Sequence, residues 1–384
     1  MLLTPAALWQ WPNPWLPKPA DASMSVDIHF TDEDWNRVQQ AWTSWWLGEL
    51  ERPMVVIEVE PPPGTDLPFA PSYVSNLPFD LPPEEAVMRY QRRLETMRFY
   101  GDAWPKWWLN FGPGIMAGFL GAQVRTAPDT VWFEPSKLGE IRDLRPTYDA
   151  ENAWWKRICD LTRAAVACWG NRVSIGHTDL GGNLDILASL RTTQQLLLDL
   201  YDAPEEVGRL VQEITTLWLR YYDELYAMIE PAGRGTTPWA AIWSPGRTYM
   251  LQCDFSYMIS PKMFERYVLP DLAACCDELD HGFYHLDGKG ELPHLDMLLS
   301  LQRLQGIQWV PGDGQPPPEE WLPLLKRIRD GGKLCQIWVT LEGARTIVRE
   351  LGGNGFAFHI SIPWTPQEQV DAFLRTLSME DISH

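Results

Sequence analysis

The chain has 384 residues, 45% of them hydrophobic, which is enough to fill one large core or two modest ones. Its formal charge of −19 argues against nucleic acid and an anionic membrane face as partners. No apolar run reaches the roughly 18 residues of a membrane-spanning helix, so none is expected.

The opening residues, 1–23, are broken repeatedly by proline and lack a basic segment followed by a continuous apolar one. They read as a loose arm, with Met24 as an alternative start. A helix is predicted over 32–50, capped near Thr31 and carrying Trp35, Trp42, Trp45 and Trp46 at helical spacing. Residues 54–60 (MVVIEVE) form the first predicted strand, and 61–83 a proline-rich surface loop. Helix is expected over 84–100, a second strand over 107–111, and an excursion strand over 131–134. The helix 150–169 leads to a third strand, 172–176, which delivers His177, Asp179 and a glycine pair.

Leucine-rich helical pattern fills 193–200 and 204–229. The fourth strand is placed at 237–242, followed by a long loop, and a helix is predicted from Ser260-Pro261 to Leu279. Fifth and sixth strands at 282–286 and 306–310 each run directly into polar and glycine residues. A helix from about 316 to Asp330, a seventh strand at 334–340, a helix at 343–351, an eighth strand at 355–360 and a last helix from Thr365-Pro366 complete the pattern. Eight strands alternating with helices predict an α/β fold, a (β/α)8 TIM barrel with an N-terminal extension and early insertions. The arm and first helix occupy 1–53, and the barrel forms one domain over 54–384. An open doubly wound sheet is the alternative, although neither GxGxxG nor GxxxxGK[ST] is present.

In a barrel the residues following each strand share one mouth. Here they are Glu60, Asn110, His177, Asp179, Asp254, His285, Asp287, Asp313, Glu342 and His359. His285 and Asp287, two apart at a strand end, point to the same side, as two ligands of one metal must. With His359 they make two imidazoles and a carboxylate, a set suited to zinc or another first-row divalent ion. The bland reading is that His285 and Asp287 hydrogen-bond only each other. His177 and Asp179 are candidates for a further ligand or a general base, and Asp254 and Asp313 for catalytic carboxyls, while His281 and His294 are set aside, the first at the opposite end of the sheet and the second facing solvent. The 21 tryptophans are far above ordinary usage, and Trp239, Trp243, Trp309, Trp338 and Trp364 fall at or near strand ends, where they either pack the core or line a substrate cleft. Six cysteines without CxxC spacing read as free thiols of a cytoplasmic protein.

Residues 254–271 (DFSYMISPKMFERYVLPD), then His285-x-Asp287-Gly288, then Thr365-Pro366 resemble the uroporphyrinogen decarboxylase superfamily, which includes zinc-dependent corrinoid:thiol methyltransferases. The likeness points to an uncharacterised trimethylamine-corrinoid-protein-like branch, extends from about Phe111 to Leu377, and is strongest over 254–314. It implies a (β/α)8 barrel. The methyltransferases hold zinc by a His-x-Cys pair and a later cysteine. The resemblance puts His285 on the histidine, Asp287 on the first cysteine and His359 on the second, so a soft thiolate site becomes a harder nitrogen and oxygen one. The decarboxylases' arginine-rich substrate segment is missing, since residues 52–64 read RPMVVIEVEPPPG, and porphyrinogen decarboxylation is not expected.

The expected function is therefore that of a metal-dependent enzyme acting on a small molecule, methyl transfer included. Any corrinoid would be carried by a partner protein, and a homodimer is in view. A sugar-acting enzyme with a tryptophan-lined cleft and paired carboxylates is the alternative. A barrel-based binding protein serving a corrinoid partner ranks third.

Overall fold

The computed structural model describes residues 27–380 except residue 63, so the arm read over 1–23 and Met24 lie outside the described residues. Among the described residues eleven strands occur in chain order: β1 (Met54–Val59), β2 (Arg98–Gly101), β3 (Lys106–Trp108), β4 (Gln123–Ala127), β5 (Thr130–Glu134), β6 (Ser174–Gly176), β7 (Thr248–Leu251), β8 (His281–Asp287), β9 (Leu304–Val310), β10 (Leu334–Trp338) and β11 (Phe356–Ile362). Seven form one sheet in the order β2-β1-β11-β10-β9-β8-β7. Within it β1, β11, β10, β9, β8 and β7 pair in parallel, and β2 lies antiparallel on the edge. β3 pairs in parallel with β6, and an isolated parallel bridge joins Gly176 to Thr237. The fold is thus mixed α/β, with helices in the long connections between parallel strands.

Alternation along the strands sorts the apolar residues into two cores. Met54, Val56, Met250, Phe283, Leu334 and Ala357 lie on one face and pack with Trp35, Trp42 and Trp45 from the helix Asp32–Trp46, and with Trp104. Their sequence neighbours Val55, Ile57, Tyr249, Leu251, Tyr284, Leu286, Ile307, Trp309 and Phe358 pack on the other face in the larger core shared with the helices. Trp42 meets both Trp45 and Trp104 edge-on at 5.3 Å, and its indole N–H donates to the Asp102 carbonyl at 3.1 Å. Each fully buried indole removes on the order of 200 Å² from water, about 5 kcal/mol before entropy is set against it. These tryptophans form an aromatic floor against one face of the sheet. Beside them Asp102, 1% exposed, accepts two 2.7 Å hydrogen bonds from Arg52 and one of 2.9 Å from the Val55 N–H. A buried carboxylate without such partners would be strongly destabilising.

Three predicted elements are corrected. Residues 237–242 are not a strand: Thr236 bridges Ser244 antiparallel, and Thr237 Oγ1 donates to the Ile242 carbonyl at 2.6 Å, closing a turn. The strand at this place is β7, whose four residues are all buried and whose brevity hides it in the sequence. The helix expected to reach Tyr100 ends at Thr96, because 98–101 is extended against β1. The excursion strand expected at 131–134 is present as β5, paired with β4 in a hairpin outside the seven-stranded sheet. The helix expected from 260 to 279 divides into Pro261–Tyr267 and Leu269–Glu278, since Pro270 has no N–H to continue the ladder. His294, expected to face solvent, is 1% exposed, stacked on Phe264 at 4.4 Å with Nε2 3.0 Å from the Ser256 carbonyl.

Candidate metal centre and substrate cavity

β8 carries Phe283, His285 and Asp287 on one face, so the strand runs from the aromatic floor to polar ligand atoms at its carboxyl end. The segment after β7 brings Asp254 beside them. Asp254, His285 and Asp287 each offer a ligand atom within 4.8 Å of the other two, and they form the one such group of three or more among the described residues. Gln308, paired with His285 in the β8–β9 register, hydrogen-bonds His285 Nδ1 through Oε1 and donates through its amide nitrogen to Gln336 on β10. A carbonyl oxygen at Nδ1 requires the proton there, which leaves the Nε2 lone pair for a ligand. Asp254 is solvent-exposed in surface area yet surrounded by protein, as a carboxylate at the base of an open cleft is. Burial raises its pKa, His285 opposes the rise and Asp287 adds to it.

Further carboxyls stand behind this group. Asp185 accepts the backbone N–H groups of Asp254 at 3.1 Å and Phe255 at 2.7 Å, which fixes the turn presenting Asp254. Burial lifts Asp185 to about 8, with Asp254 adding to the shift. Asp179, 5% exposed, accepts the Gly181 N–H at 2.8 Å, and burial lifts it to about 7. Glu291, 1% exposed, accepts from Tyr284 Oη at 3.1 Å, and burial pushes it well above the usual carboxylate range. Packed acids of this kind stay protonated or share a cation.

Apart from this group lies a cavity of about 530 Å³. Trp239 stands edge-on to His285 at 5.1 Å and lines this cavity with Trp108, Trp338, Glu58, Lys106 and His359. The Trp338 indole N–H donates to His359 Nδ1 at 2.9 Å. Burial, aided by the Lys106 charge, pulls His359 down to about 3, so it is neutral with its proton on Nε2. Lys106 Nζ touches Glu58 Oε1, and burial draws the ammonium down to about 7 while that carboxylate favours the charged form. A second, open groove of about 740 Å³ runs past Asp254 and Asp185 beside the β4–β5 hairpin.

The structure therefore joins Asp254 to His285 and Asp287, and places His359 across the tryptophan cavity on Trp338. His177 is fully buried, stacked on Tyr222 at 4.7 Å with neither ring nitrogen hydrogen-bonded, and burial takes it to about 3. Asp313 is exposed in a turn. Glu342 pairs with Arg345 at 3.6 Å and Glu60 with Arg93 at 2.8 Å, and Asn110 Oδ1 accepts the Gly112 N–H at 3.0 Å. Of the five tryptophans, Trp239 and Trp338 line the cavity, Trp243 and Trp309 are buried in the two cores, and Trp364 is exposed. All six cysteines are free, and none belongs to the ligand group. No helix among the described residues is long and apolar enough to cross a membrane.

Sequence reading passed over Glu58, Lys106, Asp185, Glu291, Gln308 and Gln336. Strand parity was the available signal for three of them: Glu58, Gln308 and Gln336 are polar residues in predicted strands that otherwise read apolar.

No family model matches the chain, and no curated protein matches it in sequence. Among solved structures it is similar to a methyltransferase from Methanosarcina mazei, with a TM-score of 0.58 and 11% identity, over 89% of this chain and 98% of that one. At that identity the likeness is one of fold.

Proposed function

We propose that the parallel strands close into a (β/α)8 barrel and that the chain is a metal-dependent enzyme moving a methyl group to or from a small molecule. Asp254, His285 and Asp287 hold a divalent ion, zinc or another first-row metal. The observation that carries this reading is their convergence, with His285 oriented by Gln308 so that one ring nitrogen is free to ligate. The nitrogen and oxygen donors suit such an ion without a thiolate, which sets the centre apart from thiol-activating zinc sites. A metal bound there supplies a Lewis acid to a ligand heteroatom. Asp179 holds a proton at a carboxyl oxygen near neutral pH, and Trp239, edge-on to His285, shields that imidazole from water. The methyltransferase fold of the Methanosarcina mazei protein supports the reaction class, with any corrinoid carried by a separate protein. Free cysteines accord with a cytoplasmic setting.

Metal analysis of the purified protein tests the proposal. About one divalent ion per chain is expected, lost in Asp254→Ala, His285→Ala and Asp287→Ala variants that keep their circular dichroism. Turnover indifferent to chelation, or full metal content in all three variants, would refute it.

A further inference from the structure

The tryptophan-lined cavity carries its own chemical signature. Its walls include the indoles of Trp108, Trp239 and Trp338, flat apolar surfaces that favour a flat apolar partner. Its polar corner is formed by Lys106 from β3, Glu58 from β1 and His359 from β11. Lys106 and His359 are close enough for the lysine charge to oppose protonation of the imidazole. Glu58 Oε1 is the ion-pair partner of Lys106 Nζ, and neither atom has a hydrogen-bond partner among the described residues. His359 accepts at Nδ1 and so carries a donor at Nε2. The Trp108 indole N–H is buried and likewise without a partner. The one carboxylate in this corner is already neutralised by Lys106, so a cation finds no net charge to bind. What the corner has to spare is hydrogen-bond donation.

We propose that this cavity binds the substrate of the site described above, and that this substrate is a planar aromatic molecule bearing an oxygen acceptor, with its ring against the tryptophans and its oxygen toward Lys106 and His359. The assignment rests on the reading of the site as an enzyme centre. It does not require the metal, since no ligand of the metal group lines the cavity.

Calorimetric titration of the chelator-treated full chain with benzoate, phenol, cyclohexanecarboxylate, benzyltrimethylammonium and methyl glucoside tests it. Benzoate and phenol are expected to bind, and cyclohexanecarboxylate to bind more weakly than benzoate. Lys106→Met should weaken benzoate at least about tenfold, the worth of one charge-assisted hydrogen bond. Because Lys106→Met leaves Glu58 unpaired, the Lys106→Met/Glu58→Gln double variant serves as its folding control and should show the same loss. Trp338→Leu, at a half-exposed position, should weaken both aromatic probes. Preference for the ammonium or the glucoside, undiminished benzoate binding without Lys106, or no probe binding at millimolar concentration would each overturn the assignment. Metal content, measured on the same Lys106 variants, reports separately on Asp254, His285 and Asp287, so failure of one reading is distinguishable from failure of the other.

Discussion

Trp338 donates its indole N–H to His359 Nδ1 across the β10–β11 register, at 2.9 Å. The bond occupies the lone pair that would otherwise take a proton or a metal, and so fixes both the tautomer and the charge of His359. His359, expected from its strand position to be a third ligand, has this partner at Nδ1 and is not among the three residues whose ligand atoms converge.

Trp338→Phe keeps the aromatic wall and removes the donor. The His359 imidazole should then titrate higher than about 3, toward the ordinary histidine range, because the neutral form has lost a hydrogen bond. Lys106→Met should move it in the same direction by removing a like charge. Nitrogen-detected NMR of the histidine rings reads both shifts, and an unmoved resonance in both variants would sink the account.

Stability against pH should depend on the metal. Asp179 and Asp185 have folded-state values of about 7 and about 8, above the unfolded value of about 3.9. Their contribution is complete below the unfolded value and is lost as pH rises through the folded one. Asp271, buried against Thr215 and raised to about 7, acts in the same direction. His177 and His359, both held near 3, work oppositely, losing stability as pH falls through the unfolded imidazole's value of about 6.5. Between about pH 6.5 and 8 Lys106, drawn down to about 7 by burial, opposes the acids, so it is the chelated Lys106→Met protein that should lose more than about 1 kcal/mol over that window. Saturating divalent cation should flatten the loss. Denaturant melts at several pH values, with and without metal, give the answer, and a flat chelated profile would contradict it.

Two glycines should respond with opposite signs. Gly181 has φ +84°, and a Cβ there would sit 2.7 Å from the Gly114 Cα, where two loops touch backbone to backbone. Gly181→Ala should cost about 2–4 kcal/mol and disturb Asp179, whose carboxylate the Gly181 N–H supports. Gly208 lies in the helix Pro204–Ile229 with open space around a built Cβ, and Gly208→Ala should stabilise by about 0.5–1 kcal/mol. Chemical denaturation of the two variants checks the contrast.

Much of this arrangement was legible in the sequence, and the losses have physical causes. Long apolar strands such as β8 and β9, each closing on glycine and polar residues, announce themselves, and their period of two placed His285 and Asp287 on one side. β7 did not, because four buried residues between Gly246 and Gln252 have no room to show alternation. Asp254 was assigned to catalysis rather than to the ligand group, since its distance from His285 is set by tertiary packing of the segment after β7. Glu291 lay in a stretch resembling a solvated loop, and its burial depends on Tyr284 reaching it from the opposite face of β8. The tryptophans were ambiguous by nature, for an indole packs a core and lines a cleft with the same surface.

The separation of the two cores has a consequence for tolerance to insertion and deletion. Phe283, His285 and Asp287 belong to one side of the pleat, and Tyr284 and Leu286 to the other. Loss of one residue from the middle of β8 would invert the phase of everything beyond it, turning the imidazole and carboxylate into the helix layer and aliphatic carbon toward the metal. β8 should therefore accept side-chain changes far more readily than any change of length.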